Sequence, residues 1–233
     1  PLAYRFAREM GAWAPRTQFV EVFMNEDGDE LEPSDYVGVF TFMEKIELHP
    51  DRINVQDPTG NNDGGFMVKV DRTSGQTGGN DRTFSAAGQT FVWIEPEKEF
   101  VTTPQNNWLR DHFNHIEDVM EDDELAEDPD QGYRALIDVD SWIDEYLLRT
   151  LTRDPDGFRL STYLYMPRNG KVHYGPVWDF DRTMGCDSDD RARNPEAWVD
   201  YFATFGWWAD LFGSGVNRKP VTANRPEFLQ DYI

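Results

Sequence analysis

The chain has 233 residues, and 44 acidic against 22 basic side chains give it a net charge of −22 and a pI near 4.4. So dense a negative charge repels the phosphates of nucleic acids and of anionic membranes, which sets both aside as partners. A hydrophobic content of 39% with 14% aromatic residues argues for a folded core, in one domain or two small lobes, while the single cysteine, Cys186, excludes an internal disulfide framework and a cysteine-based zinc site.

In chain order, "PLAYRFAREMG" predicts a helix, with Pro1 in its first turn, apolar Leu2, Tyr4, Phe6 and Met10, and Gly11 as its stop. The β-rich runs "TQFVEVFMN" and "YVGVFTFMEKI" flank the acidic "EDGDELEPSD", the pattern of an antiparallel hairpin with a long solvated loop. "GGFMVKVDR" reads as a further strand, "TSGQTGGNDR" as a glycine-rich loop, and "QTFVWIEP" as another strand; no loop has the spacing of a phosphate-binding P-loop. From Thr103 to Leu151 the pattern predicts two helices. The first carries Leu109, Phe113, Ile116 and Met120 at helical spacing and is broken by "EDDELAEDPDQG". The second, "DVDSWIDEYLLRTLTRD", places Trp142, Ile143, Tyr146, Leu147 and Leu151 on one face behind an Asp140 N-cap. The turn "RDPDGF" carries Asp154 and Asp156. Asn169-Gly170 between "STYLYMP" and "KVHYGPV" then predicts a hairpin closed by a type I′ turn, with positive φ at Gly170. Beyond it, "NPEAWVDYFATFGWWADLFG" reads as packed helix and loop with Trp207 and Trp208 in the core. No apolar run approaches the roughly 20 residues that span a bilayer. Both ends read as the interior of elements, so the domain is expected to be truncated at both.

The hairpin runs into "VWDFD", where Asp179 and Asp181 stand on alternate residues. On extended backbone such a pair points to one side and can hold a hard cation; the bland reading is two solvated acids at a strand exit. A helix, an acidic turn, a hairpin and a second acid, in that order, form the arrangement phosphoryl transfer needs. One carboxylate orients the attacking hydroxyl, and another holds the cation on the nucleotide phosphates. Asp156 and Asp179 stand about 23 residues apart, a spacing compatible with that use. Asp154 can exchange roles with Asp156. Asp156 is favoured because Gly157 frees the backbone behind it, whereas Pro155 holds Asp154 extended. Asp156, Asp179 and Asp181 are expected to meet in one cleft, with at least one pKa raised by mutual repulsion.

The segments "LAYRFAREMGAWAPRTQFVEVFMN", "YVGVFTFMEKI", "DPDGFRLSTYLYMPRNGKVHYGPVWDFDRTMG" and "RPEFLQDYI" together resemble the CotH kinase family over almost the whole chain. The resemblance implies an α+β, atypical protein-kinase-like fold. A β-rich part would cover about residues 1–100, and a mostly helical part about 101–233 would carry the metal site on its hairpin. It implies ATP and Mg²⁺ as cofactors, Ser or Thr of extracellular or coat proteins as acceptors, and an extracellular or cell- or spore-surface location. By position, Asp156 matches the catalytic-loop acid and Asp179 the metal-binding acid, with Asp181 as companion. Ser161 is either a weaker second contact or a plain strand-start serine, the latter favoured. Glu44 and Lys45 would lie beside the adenine, with backbone groups doing most of the binding. Lys69 follows the expected hinge and reads as a solvated strand lysine. The family's glycine loop and phosphate-binding lysine are a departure, since this chain starts after the segment that would hold them. Two readings of other classes stand beside the kinase: a non-catalytic kinase-like scaffold in surface adhesion or coat assembly, and a calcium-dependent carbohydrate-binding domain. The converging acids favour the enzyme over the scaffold, and the helical middle opposes a β-sandwich. The four scattered histidines offer no third ligand near His112 and His115, and the acidic loops lack the register of an EF-hand.

Overall fold

Helix α1 (Leu2–Glu9) buries Ala3, Tyr4 and Ala7 on one face, and the chain turns off it at Gly11 as expected. The Arg8 guanidinium, basic in the last turn, donates to the carbonyl of Pro15 at 2.7 Å and so fixes the path out of the helix. The computed structural model describes residues 1–56, 64–73, 81–157 and 160–186; the expected helix and loop around Trp207 and Trp208, and "RPEFLQDYI", lie outside them. Strands β1 (Thr17–Phe23) and β2 (Tyr36–Met43) form the expected antiparallel ribbon, joined through a short 3₁₀ turn at Pro33–Asp35. Phe19, Val39, Phe40 and Phe42 of this ribbon are exposed.

The second sheet holds β3 (Phe66–Val70), β4 (Thr83–Ala86), β5 (Gln89–Glu95), β6 (Thr162–Met166) and β7 (His173–Tyr174), in the order β4-β5-β3-β6-β7, antiparallel throughout. The chain is therefore α+β, and its late hairpin pairs directly with β3 of the early part. Strand β4 is an addition to the expected set: four residues carry only two inward positions, Phe84 and Ala86, too few to display an alternation.

Helix α2 (Thr103–Glu121) starts in a capping box between Thr102 and Gln105 and buries Leu109, Phe113, Ile116 and Met120, the predicted face. That face lies on the sheet, where Phe113 stacks on Phe91 with ring centroids 4.5 Å apart. Burying such rings supplies most of the driving force for joining helix to sheet, about 25 cal/mol for each Å² removed from water. Two single-turn helices, α3 (Asp123–Ala126) and α4 (Tyr133–Leu136), occupy the break before α5 (Val139–Thr152). The N-cap of α5 is Asp138, whose carboxylate accepts from the Ser141 N–H at 3.0 Å, rather than Asp140. Val172 clips α5 to the hairpin, its carbonyl accepting from the Asp138 N–H and from the Trp142 indole.

The β6–β7 hairpin forms where predicted, but its turn differs. Asn169, not Gly170, takes the positive φ, +51°, and the Gly170 N–H donates to Pro167 at 3.0 Å, the pattern of a turn with its left-handed residue third. Gly170 is required by space instead: a Cβ there would stand 2.9 Å from the Pro167 Cβ. Asn169→Val is accordingly expected to cost about 1–2 kcal/mol in urea unfolding, whereas Asn169→Gly stays within about 0.5 kcal/mol of the parent. Equal losses in both variants would contradict this turn.

Candidate active site

The helix that leads into the acidic turn presents only part of the expected apolar face, with Trp142 and Tyr146 buried and Ile143 packed against the core. Leu147 and Leu151 are 41% and 71% exposed, and the positions turned inward are Trp142, Glu145, Tyr146, Leu148, Arg149 and Thr152. A buried ion pair has displaced the leucines. Arg149, with no exposed surface, donates from Nε to Glu145 at 3.0 Å, from Nη1 to Asp154 at 2.5 Å and from Nη2 to the carbonyl of Ser161 at 3.0 Å. One planar guanidinium thus joins helix, turn and strand start, a use for which its fixed fork of donors is suited.

After Thr152 the chain leaves the helix through Arg153 in the left-handed region. Asp154 then points inward, its second oxygen accepting from the N–H of Asp156. Gly157 closes over this pair: a Cβ would lie 2.8 Å from Arg149 Cδ and 3.0 Å from the Asp154 carboxylate. The glycine is needed there for close approach rather than for an unusual backbone angle. Asp154 is completely buried. Asp156 keeps a little exposed surface, and its carboxylate accepts from Arg182 at 2.8 Å.

Asp179 stands where the chain leaves the hairpin, at φ +62°, a conformation that costs a side-chain-bearing residue energy and recurs at functional sites. Its carboxylate accepts from the Ser161 hydroxyl at 3.0 Å, and its N–H donates to the Tyr4 hydroxyl at 3.4 Å. Ser161 is itself at φ +53°, so it is an orienting partner of Asp179 as well as the start of a strand. Burial pushes the Asp179 carboxyl above the ordinary range; the Ser161 hydrogen bond opposes this, and the charges of Asp181, Asp154 and Asp71 add to it. The expected rise is present, with desolvation ahead of repulsion as its cause. Asp181 is exposed. Lys69 is half-buried and paired with Asp71 at 3.1 Å, not a solvated strand lysine.

A continuous set of contacts therefore runs from Asp179 through Ser161, Arg149 and Asp154 to Asp156 and Arg182. Glu44 and Lys45 follow β2 and sit outside this set. Glu44 accepts from the Arg16 backbone N–H at 2.8 Å and from its guanidinium, and these bonds hold its carboxyl down at about 2. Lys45 pairs with Glu47 at 3.3 Å. The next residue, Ile46, is buried in a cluster with Met67 and Tyr163 against which Trp178 packs, so this segment adjoins the strand exit that carries Asp179. Among the described residues, no three His, Cys, Asp or Glu side chains are grouped to hold a metal. Arg149, Arg182 and Tyr4 are the site's unanticipated members. The pairing of Glu145 with Arg149, four apart on a helix, was the one signal the sequence offered for them.

The family model described as "CotH kinase protein" matches residues 1–232. No curated protein matches the chain. No described helix is long and apolar enough to cross a membrane.

Proposed function

The chain belongs to the CotH kinase family, and from that membership and the setting of Asp179 we propose that it is an atypical, kinase-like phosphotransferase. It would move the γ-phosphate of ATP to Ser or Thr of extracellular or coat-type proteins, at the cell or spore surface. The observation that carries this reading is the Asp179 carboxylate: half-buried, on strained backbone, oriented by Ser161, burdened by neighbouring acids and paired with no cation among the described residues. Uncompensated negative charge of that kind fits a divalent cation. Mg²⁺ commonly uses only one or two protein carboxylates, with phosphates and water filling the remaining positions, so a site without three grouped ligands is compatible with it.

In this reading Asp179, with Asp181 beside it, would hold Mg²⁺ on the nucleotide. When bound, the ion neutralises charge on the phosphates. The acceptor hydroxyl oxygen attacks the γ-phosphorus, the bond to the β-phosphate oxygen breaks, ADP departs, and the hydroxyl proton passes to Asp156. Asp156 suits that task better than Asp154, which is sealed under Gly157 and spent on Arg149. Arg182 orients the Asp156 carboxylate. The adenine would rest beside Glu44 and Lys45, on backbone groups rather than on the Glu44 side chain, which Arg16 occupies.

The test is Mg²⁺-ATP binding by calorimetry and single-turnover transfer to a Ser/Thr-containing peptide, in the full-length protein. Asp156→Asn is expected to bind Mg²⁺-ATP within about threefold of the parent and to slow transfer by about 10²–10⁴. A parent that neither binds nucleotide nor transfers phosphate makes the acids structural and leaves the non-catalytic scaffold as the function.

A further inference from the structure

A concave site reaches the Glu145 side of the Arg149 ion pair. It is a cavity of about 490 Å³ between the end of α1, the first half of α5 and the β6–β7 hairpin, and none of Asp154, Asp156, Ser161 or Asp179 lines it. Its α5 wall is acidic, with Asp138, Asp140, Asp144 and Glu145 all on the lining. One lining guanidinium opposes these four carboxylates, and that one, Arg52, is already ion-paired with Glu47. Facing them are the rings of Trp13, Tyr165 and His173 among small and aliphatic side chains, the last two rings stacked with centroids 4.7 Å apart. His173 adds no opposing charge, because burial pushes its pKa below the usual histidine range despite the nearby Asp138 carboxylate.

Acid clusters on helices are commonly solvated, and this one is distinguished by Glu145. The side chain is almost fully buried; one carboxylate oxygen is spent on Arg149, and the other, Oε1, is sealed from solvent with no hydrogen-bond donor in reach. A buried carboxylate oxygen left without a partner costs free energy that a bound donor would recover. Gly175 leaves the space beside it: a Cβ at that position would stand 3.5 Å from Oε1. Asp144 shows the same want of positive charge. Burial raises its pKa, and repulsion from Asp140 and Asp138 raises it further.

We propose that this cavity binds an organic cation, an ammonium or guanidinium carried on an apolar stem, with its charged head at Asp144 and Glu145 and its stem against Trp13 and Tyr165. These rings select this class over a bare metal ion. A ring face attracts a cation that brings hydrocarbon with it, whereas a hard metal ion keeps its water and gains nothing from Trp13 and Tyr165. A free polyamine and an Arg or Lys side chain of a bound protein share this chemistry. The proposal does not depend on phosphotransfer, since it uses none of the residues assigned to that reaction.

The experiment titrates the full-length protein by calorimetry with spermidine in one arm and with an N-acetylated, C-amidated Ala-Arg-Ala peptide in the other. Because a protein of net charge −22 attracts cations everywhere, the comparison is between two variants of equal charge change: Asp140→Asn/Asp144→Asn in the cavity, and Glu26→Gln/Glu30→Gln on the β1–β2 loop. Saturable binding of at least one probe is expected, weakened about tenfold or more by the cavity pair and by Trp13→Ala, and unchanged by the loop pair. The arm that binds more tightly identifies the source. Glu145 is left untouched because it also supports Arg149. Absence of saturable binding in both arms, or equal weakening by cavity and loop pairs, overturns the proposal.

Discussion

Asp179→Asn is expected to abolish Mg²⁺-dependent phosphotransfer while leaving the protein folded and, at pH 7, no less stable than the parent. Asparagine keeps the shape of the side chain and still accepts the Ser161 hydroxyl, whose distance to the parent carboxylate is 3.0 Å. It is also among the residues that best tolerate the φ of +62° at this position. What it removes is the charge that is half-buried and crowded by Asp181, Asp154 and Asp71. The sign of the pH dependence follows. The folded-state pKa of Asp179 is raised above the unfolded value of 3.8, so the group's stabilising contribution is fully present below 3.8 and is lost as pH rises through the folded pKa. The variant lacks that loss. Its urea midpoint should fall short of or match the parent's at low pH and equal or exceed it at pH 7, and transfer should fall by more than about 10³ if that charge anchors the cation as proposed. Parent-like transfer in the variant would end the assignment of Asp179 as metal ligand.

The fold was readable wherever a periodic pattern was long or a turn signal strong. Leu109, Phe113, Ile116 and Met120 mark α2 at helical spacing, and Asn169-Gly170 marks the hairpin, although φ sterics put the left-handed residue at Asn169. The face of α5 was only partly readable: Trp142, Ile143 and Tyr146 turn to the core as expected, but Leu147 and Leu151 outweigh Glu145 and Arg149 in any count of apolar positions. Only the tertiary structure, which supplies Asp154 and the Ser161 carbonyl as partners, offsets the desolvation cost of burying a guanidinium there. The site divides the same way. Asp179 and Asp181 are legible as acids, and Asp154 and Asp156 as acids in a turn, but Asp179 is at φ +62° with Asp181 exposed in the turn beyond it, so the two are not an alternating pair on extended backbone. Which of the latter two is sealed depends on Arg149 and Gly157. The partner of the Asp179 N–H, Tyr4, lies 175 residues away in the chain, beyond the reach of any local pattern.

Arg149→Met is expected to cost about 3–5 kcal/mol at pH 7 and to reduce phosphotransfer in whatever fraction folds. The loss comes from what is left behind: Glu145 and Asp154 are nearly fully buried carboxylates, and removing the cation between them strands both charges. The folded-state pKa values of both acids lie above their unfolded values of 4.5 and 3.8 through burial, and Arg149 is the largest opposing influence in each case, joined at Asp154 by the backbone N–H groups of Asp156 and Gly157. Without it they rise further. Protonation then removes the stranded charge, so the deficit relative to the parent is greatest at neutral pH and shrinks as pH falls toward the unfolded values. Arg149→Met/Asp154→Asn should regain part of the stability by removing one of the two charges, and it keeps the prediction testable if the single variant does not fold. The helix end, the acidic turn and the Ser161 carbonyl lose their common tie in both variants, so transfer stays low even where stability returns. Urea unfolding at pH 7 and pH 4.5, paired with single-turnover transfer, separates the two effects. A single variant that costs less than about 1 kcal/mol at pH 7, or a deficit that does not shrink with acid, would show that Arg149 fills space rather than holding the turn and Ser161 in place.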